Sequence, residues 1–222
     1  MGANHPRLEV STYREIDGFF NRDLIHSLRC QWPTLSNPSW LRYQEPWEKK
    51  WAMRDNLPEP ARYLLGQMAT DIGCRGVPDL TLHGAGLHMM GRDDFLDCHY
   101  DADKHPEFGL KRAYNAILFL DDWNARWGGQ LEIWDDGGER VLYSAYPAAG
   151  KLVVFDATLR HSVLRPLTCP EGVYRRSLAL YFWEDPPIGW KPERPRALFL
   201  PALGEPKNET LDEMRKARSQ LT

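Results

Sequence analysis

Between Leu80 and Trp183, short apolar runs alternate with turn residues, and this punctuation constrains the fold more than any other feature of the chain. The runs are Leu80–Met90, Phe95–Tyr100, Ala113–Leu120, Gln130–Trp134, Val141–Ala145, Lys151–Phe155, Ser162–Leu164 and Ser177–Trp183. Gly128-Gly129, Asp135-Asp136-Gly137-Gly138 and Pro147-Ala148-Ala149-Gly150 separate several of them. About eight short strands with such turns predict an antiparallel sandwich or barrel of the jelly-roll kind. Two helices are predicted ahead of it. One runs within Asp17–Cys30 after a capping Asn21 or Asp17, with Leu24, Ile25 and Leu28 at helical spacing; the other covers Ala61–Ile72, with prolines in its first turn. Helices before strands imply helices packed on the outside of one sheet. The Pro- and Trp-rich stretch Trp32–Trp51 reads as loop with short strands on the rim of a pocket. A polar terminal helix is predicted over Leu211–Leu221.

A chain of 222 residues with 42% hydrophobic and 12% aromatic content suits one domain with an ample core. The expected division is an N-terminal layer over 1–79, a barrel over 80–183 and a Pro-rich extension with a short helix over 184–222. The net charge of −3 gives no sign of nucleic-acid or membrane-surface binding. There is no 18-residue apolar run and no apolar signal region in Met1–Arg7, so a cytoplasmic protein is expected. Cys30, Cys74, Cys98 and Cys169 form no CxxC pair and read as free thiols.

Within Phe95–Asp103, His99 and Asp101 lie two apart. On an extended strand they share a face and offer two ligands of a 2-His-1-carboxylate metal site. Of the seven histidines, His161 is the best third ligand, because it follows the strand Lys151–Phe155 and opens another run over 161–166. Cys98 falls on the opposite face and reads as core. Asp97 and Asp103 read as solvated acids, and His105 reads as loop.

The ordered set His99-x-Asp101, Trp127-Gly128-Gly129-Gln130-Leu131, Pro147-Ala148-Ala149-Gly150-Lys151-Leu152-Val153-Val154-Phe155, His161 and Arg175-Arg176-Ser177 resembles the iron(II)/2-oxoglutarate-dependent dioxygenases. More narrowly it resembles their prolyl 4-hydroxylase-like branch. Ser177–Trp183 is similar to that branch's closing strand, and the match runs from about Leu80 to Trp183. The resemblance implies a double-stranded β-helix of the jelly-roll or cupin-like kind. It implies iron(II) on His99, Asp101 and His161, with 2-oxoglutarate as cosubstrate, dioxygen, and ascorbate as reductant. The implied reaction hydroxylates a C–H bond while 2-oxoglutarate is decarboxylated to succinate and carbon dioxide. Asp at position 101 matches the hydroxylating members rather than the halogenating ones.

The far carboxylate of 2-oxoglutarate needs a buried cation. Arg175 and Ser177 share a strand face, and a guanidinium can fork a carboxylate while the hydroxyl adds a further bond. Arg176 then faces away as a solvated charge. Where the family often has a Tyr contacting the cosubstrate, this sequence has His88, which reads either as a contact or as core. Asn115 is a second contact to cosubstrate or substrate. Expected substrates are small polar metabolites, amino acids or prolyl residues. The alternative is a non-enzymic jelly-roll protein that binds a small molecule or sugar.

Overall fold

The structure is a computed structural model, and it describes residues 13–73, 76–163, 167–201 and 207–220. Expectations for Met1–Arg7, Cys74, the end of the run after His161, and residues 202–206 and 221 lie outside these. In chain order the elements are β1 (Tyr13–Ile16), α1 (Arg22–Cys30), β2 (Leu41–Glu45), β3 (Glu48–Met53), α2 (Glu59–Asp71), β4 (Val77–Pro78), β5 (Gly86–Met90), β6 (Phe95–Tyr100) and β7 (Lys111–Phe119). They continue as β8 (Leu131–Trp134), β9 (Val141–Ala145), β10 (Leu152–Asp156), β11 (Arg160–Val163), β12 (Arg175–Glu184), β13 (Leu198–Phe199) and α3 (Glu209–Ser219).

The thirteen described strands belong to one antiparallel sheet, whose main path runs β1-β10-β7-β12-β5-β3-β6-β11-β8-β9 with β2 on β3, β4 on β12 and β13 on β6, curled into a nearly closed barrel of the double-stranded β-helix type. Alternation sorts the side chains of its longest strands. On β7, β10 and β12, Tyr114, Ala116, Leu118, Leu152, Val154, Leu178, Leu180 and Phe182 join one cluster with Ile25 and Leu28 of α1 and Leu64, Leu65 and Met68 of α2. The residues between them, Phe119, Val153 and Phe155, pack with Leu131 and Ile133 in a second cluster. The helices therefore cover one face of the sheet, as their position in the sequence predicts. Asn21 caps α1 by accepting the Leu24 N–H at 2.9 Å. Among the described residues no helix is long and apolar enough to cross a membrane.

Three differences from the sequence reading have identifiable causes. The predicted strand Leu80–Met90 forms only from Gly86, because the Asp79 carboxylate gathers the N–H groups of Thr81, Leu82 and His83 into a turn. β3 pairs with β5 through Trp51–Met53 and with β6 through Glu48 and Lys49, so the β2–β3 hairpin spans both halves of the barrel. The short strand β13 joins β6 directly, with Phe199 opposite His99.

Candidate active site

β11 lies beside β6 with His161 paired to His99. Their rings are 4.2 Å apart. Asp101, just past the end of β6, places Oδ1 3.7 Å from His99 Nε2 and Oδ2 3.6 Å from His161 Nε2. Each histidine is oriented by the carbonyl two residues before it: His99 Nδ1 donates to Asp97 O at 2.8 Å and His161 Nδ1 to Leu159 O at 3.2 Å. With Nδ1 protonated, each Nε2 lone pair points inward to the carboxylate. Burial, followed by the neighbouring His99, pushes His161 down to about 3, so it is neutral at ordinary pH. Burial opposes ionisation of Asp101, but Arg112 and then the two histidines outweigh it and hold the carboxyl well below the usual range. The Nε2–Oδ separations are too long for hydrogen bonds. Two imidazole Nε2 atoms and one carboxylate, unbonded to one another at those atoms, form a donor set ready for a shared ion.

The family described as the 2OG-Fe(II) oxygenase superfamily matches residues 85–183, which carry this constellation. The barrel of this chain matches the 2OG-Fe(II) oxygenase superfamily. Iron(II) and 2-oxoglutarate are its cofactor and cosubstrate, and the chain is an enzyme of the oxygenase class. The fold is shared with a Pseudomonas putida prolyl-4-hydroxylase, at 21% identity over 79% of this chain and 94% of that one, TM-score 0.57. HygX from Streptomyces hygroscopicus, solved with nickel and 2-oxoglutarate, matches at 12% identity over 79% and 84%, TM-score 0.53. SnoN, an epimerase of nogalamycin biosynthesis, matches at 16% over 79% and 78%, TM-score 0.55. No curated protein matches the chain.

In this oxygenase Arg175 is buried on β12. Its guanidinium lies 4.9 Å from the Phe119 ring, and its Nε donates to Gly129 O at 2.7 Å. Its terminal nitrogens make no hydrogen bond among the described residues. The Gly-Gly turn thus has a physical role: Gly129 has φ +81°, and a Cβ there would meet Arg175 Cδ at 3.3 Å. Burial pulls the Arg175 guanidinium down to about 10, opposed by Asp121, so it stays charged at neutral pH. Ser177, also buried, pairs with His88 across β12 and β5. Arg176 does face away, but it is not a solvated charge. It grips Asp121 through Nη2 at 2.5 Å and Nε at 3.0 Å, and lies over Trp32.

His88 and Asn115 fall near the oxygenase centre in distinct ways. His88 lines the cavity, and its Nε2 donates to Gly84 O at 3.1 Å, which leaves Nδ1 as an acceptor. Burial, then Lys50, pushes it down to about 3. A neutral acceptor does not complement a carboxylate, so this tautomer gives no bond to 2-oxoglutarate. Asn115 instead donates to Asp101 Oδ2 at 2.6 Å.

Sequence reasoning missed Arg112, whose Nη1 lies 3.2 Å from Asp101 Oδ2. A bulge puts it there. β7 pairs Tyr114 with Phe182 but Arg112 with Trp183, so Ala113 is extra and Arg112 turns to the same side as Asn115. Two further expectations are corrected. Asp97 is not solvated but buried, 3.6 Å from Arg215 of α3. Asp103 is not solvated either, since its carboxylate takes the N–H groups of Glu193 and Arg194.

A second group, Asp79, His83 and His105, also has metal-ligand composition. His105 Nδ1 accepts the N–H groups of Glu107 and Phe108, so the proton sits on Nε2, facing Asp79 at 3.7 Å. That nitrogen offers no lone pair, and the group pins the loop after β6 instead.

Proposed function

We propose that His99, Asp101 and His161 hold the iron(II) of this oxygenase and that Arg175, with Ser177, binds the far carboxylate of 2-oxoglutarate. We assign it hydroxylation of an unactivated C–H bond in a small polar metabolite, an amino acid or a prolyl residue. The observation that carries the reading is the register pair His161–His99, which brings both Nε2 lone pairs onto Asp101 with both Nδ1 atoms tied to carbonyls. Three protein donors leave positions for cosubstrate and dioxygen. When bound, the iron supplies the oxidising chemistry that converts 2-oxoglutarate to succinate and carbon dioxide. The chain's own residues orient and exclude. Arg112 and Asn115 occupy Asp101 Oδ2 from behind, so the carboxylate stays ionised and fixed. Phe199 stacks on His99 at 4.9 Å, and Phe155 meets His161 edge-on at 4.9 Å, so apolar rings shield both imidazoles. The intact donor set and the buried Arg175 favour this reading over a non-enzymic binding protein.

The test is uncoupled succinate formation from 2-oxoglutarate under iron(II) and air, with iron(II) binding measured alongside. Wild-type protein is expected to bind one ion and form succinate. His161→Ala is expected to lose both while keeping the wild-type circular dichroism spectrum. Near-wild-type turnover in that variant would remove His161 from the site, and a wild-type protein that neither binds iron(II) nor forms succinate would end the enzyme reading.

A further inference from the structure

A cavity of about 310 Å³ opens over His99 and Asp101, and its wall is far more basic than the chain as a whole. Lys50, Arg54, Arg112 and Arg218 line it, against the carboxylates of Glu48 and Asp101. The protein's net charge is −3, so this concentration is local. The cations come from four places: β3, the turn after it, β7 and α3. Lys50, Ala52 and Arg54 lie two apart, so one face of the hairpin presents both charges to the cavity.

The groups around them consume these charges only in part, since four cations face two carboxylates. Glu48 is buried and serves two cations, with Oε2 3.1 Å from Lys50 Nζ and Oε1 3.4 Å from Arg218 Nη2. Among the described residues Arg54 has only a 3.7 Å approach to the exposed Asp55. Arg112 is buried and shares Asp101 at 3.2 Å, but among the described residues its Nε has no hydrogen-bond partner. The cosubstrate does not consume them either: iron(II) with Asp101, together with Arg175, balances the two charges of 2-oxoglutarate. Three of the cations are also preorganised on rings. Arg112 lies 4.0 Å from the Tyr181 ring centroid and 4.8 Å from that of Trp183, Arg218 is 5.0 Å from Phe199, and Lys50 is 5.5 Å from Tyr43. Positive charge held rigidly in a concave, partly dry wall costs stability unless a ligand neutralises it.

We infer that the substrate is a small molecule bearing a carboxylate or phosphate group, and that Lys50, Arg54, Arg112 and Arg218 hold that group while the reacting carbon faces His99 and Asp101. This rests on the reading of the site proposed above. The same sign of charge is felt by His88, whose protonation Lys50 helps to suppress. An uncharged prolyl peptide leaves this wall unsatisfied.

The experiment uses full-length protein with iron(II) and saturating 2-oxoglutarate under anaerobic conditions, so that binding is read without turnover. Calorimetry compares C4–C8 monocarboxylic acids, their amides, the matching alkyl phosphate monoesters and an uncharged prolyl peptide. At least one acid or ester is expected to bind ten or more times tighter than the amide of the same length. The tighter of the two anion series names the source of the charge. Lys50→Met and the more exposed Arg54→Met should each weaken anion binding about tenfold and leave amide binding unchanged; two sites guard against one variant misfolding. Equal affinity for anions and amides up to 10 mM would overturn the inference, as would preference for the peptide or an unaltered ratio in folded variants. Uncoupled succinate formation, read separately in air, tells failure of this inference from failure of the site assignment.

Discussion

Arg175 and Arg176 are neighbours in sequence with different physical tasks, and single substitutions should separate them. Arg175→Ala removes the buried cation aimed into the barrel, so the 2-oxoglutarate concentration for half-maximal succinate formation should rise at least tenfold. Arg176→Ala leaves Asp121 half-paired at the edge of the helical layer. It should cost about 1–3 kcal/mol in urea unfolding, at the lower end for its partial exposure, with little change in cosubstrate requirement. The reverse order would exchange their assignments. Asn115→Ala removes a 2.6 Å hydrogen bond to Asp101 Oδ2. Partners of this kind typically contribute about 10–100-fold to metal affinity, so iron(II) titration should show a loss in that range. At this scale the triad was legible because a His-x-Asp spacing and a later His are local patterns within an ordered set of motifs. Arg112 was not legible: a regular strand would send it to the other face from Asn115, and only the bulge at Ala113 reverses it.

The β2–β3 hairpin, the C-terminal tail and β12 show where the sequence reading stops. β12 announces itself, since Ser177–Trp183 is continuously apolar after its first residue and is buried on both faces. From sequence the hairpin reads as loop with short strands on a pocket rim. Leu41, Tyr43 and Lys50 do line the cavity, while Trp32, Trp40 and Trp47 pack away from it. That Lys50 is functional and not merely surface depends on β3 pairing with β5 and β6, which no local pattern encodes. Gly86 is the pivot of this pairing. It has φ +99°, and a Cβ there would collide with Met53 O. Gly86→Ala must push β3 from β5, so it should lower the unfolding midpoint and blunt any substrate dependence of succinate formation together. An unchanged midpoint would show that the pairing tolerates a side chain. From sequence the tail reads as a Pro-rich extension with a short polar helix, and α3 forms there, but its Arg215 is buried beside Asp97, whose carbonyl orients His99. Arg215→Ala removes a buried cation 3.6 Å from Asp97 and should lower the urea unfolding midpoint, and an unchanged midpoint would show that the pair adds nothing to stability.

Across the whole molecule, half-buried His88 and buried His161 couple stability to pH. His88 and His161 are both pushed from 6.5 to about 3, chiefly by burial. The unfolded chain then binds protons between about pH 6.5 and 3 that the metal-free fold refuses. Stability is therefore intact above about pH 6.5 and declines as pH falls through that window. Each group can contribute about 1.4 kcal/mol per pH unit, so metal-free protein should lose up to about 4 kcal/mol from pH 6.5 to 5. Asp101, depressed instead, adds to the decline only below its unfolded value of 3.8. Urea midpoints of chelator-treated protein from pH 7.5 to 5 test this, and a flat profile would show that both histidines titrate in the fold. The pairing of His99 with His161 also sets an order of events in synthesis. Those residues lie 62 positions apart, and Phe199, which stacks on His99, comes later still. Long-range antiparallel pairs form slowly because loop closure precedes any contact. A nascent chain that has exposed His99 and Asp101 holds two donors and no site. Iron capture must therefore follow closure of the barrel, so in refolding experiments metal-dependent signals should appear with the slowest folding phase.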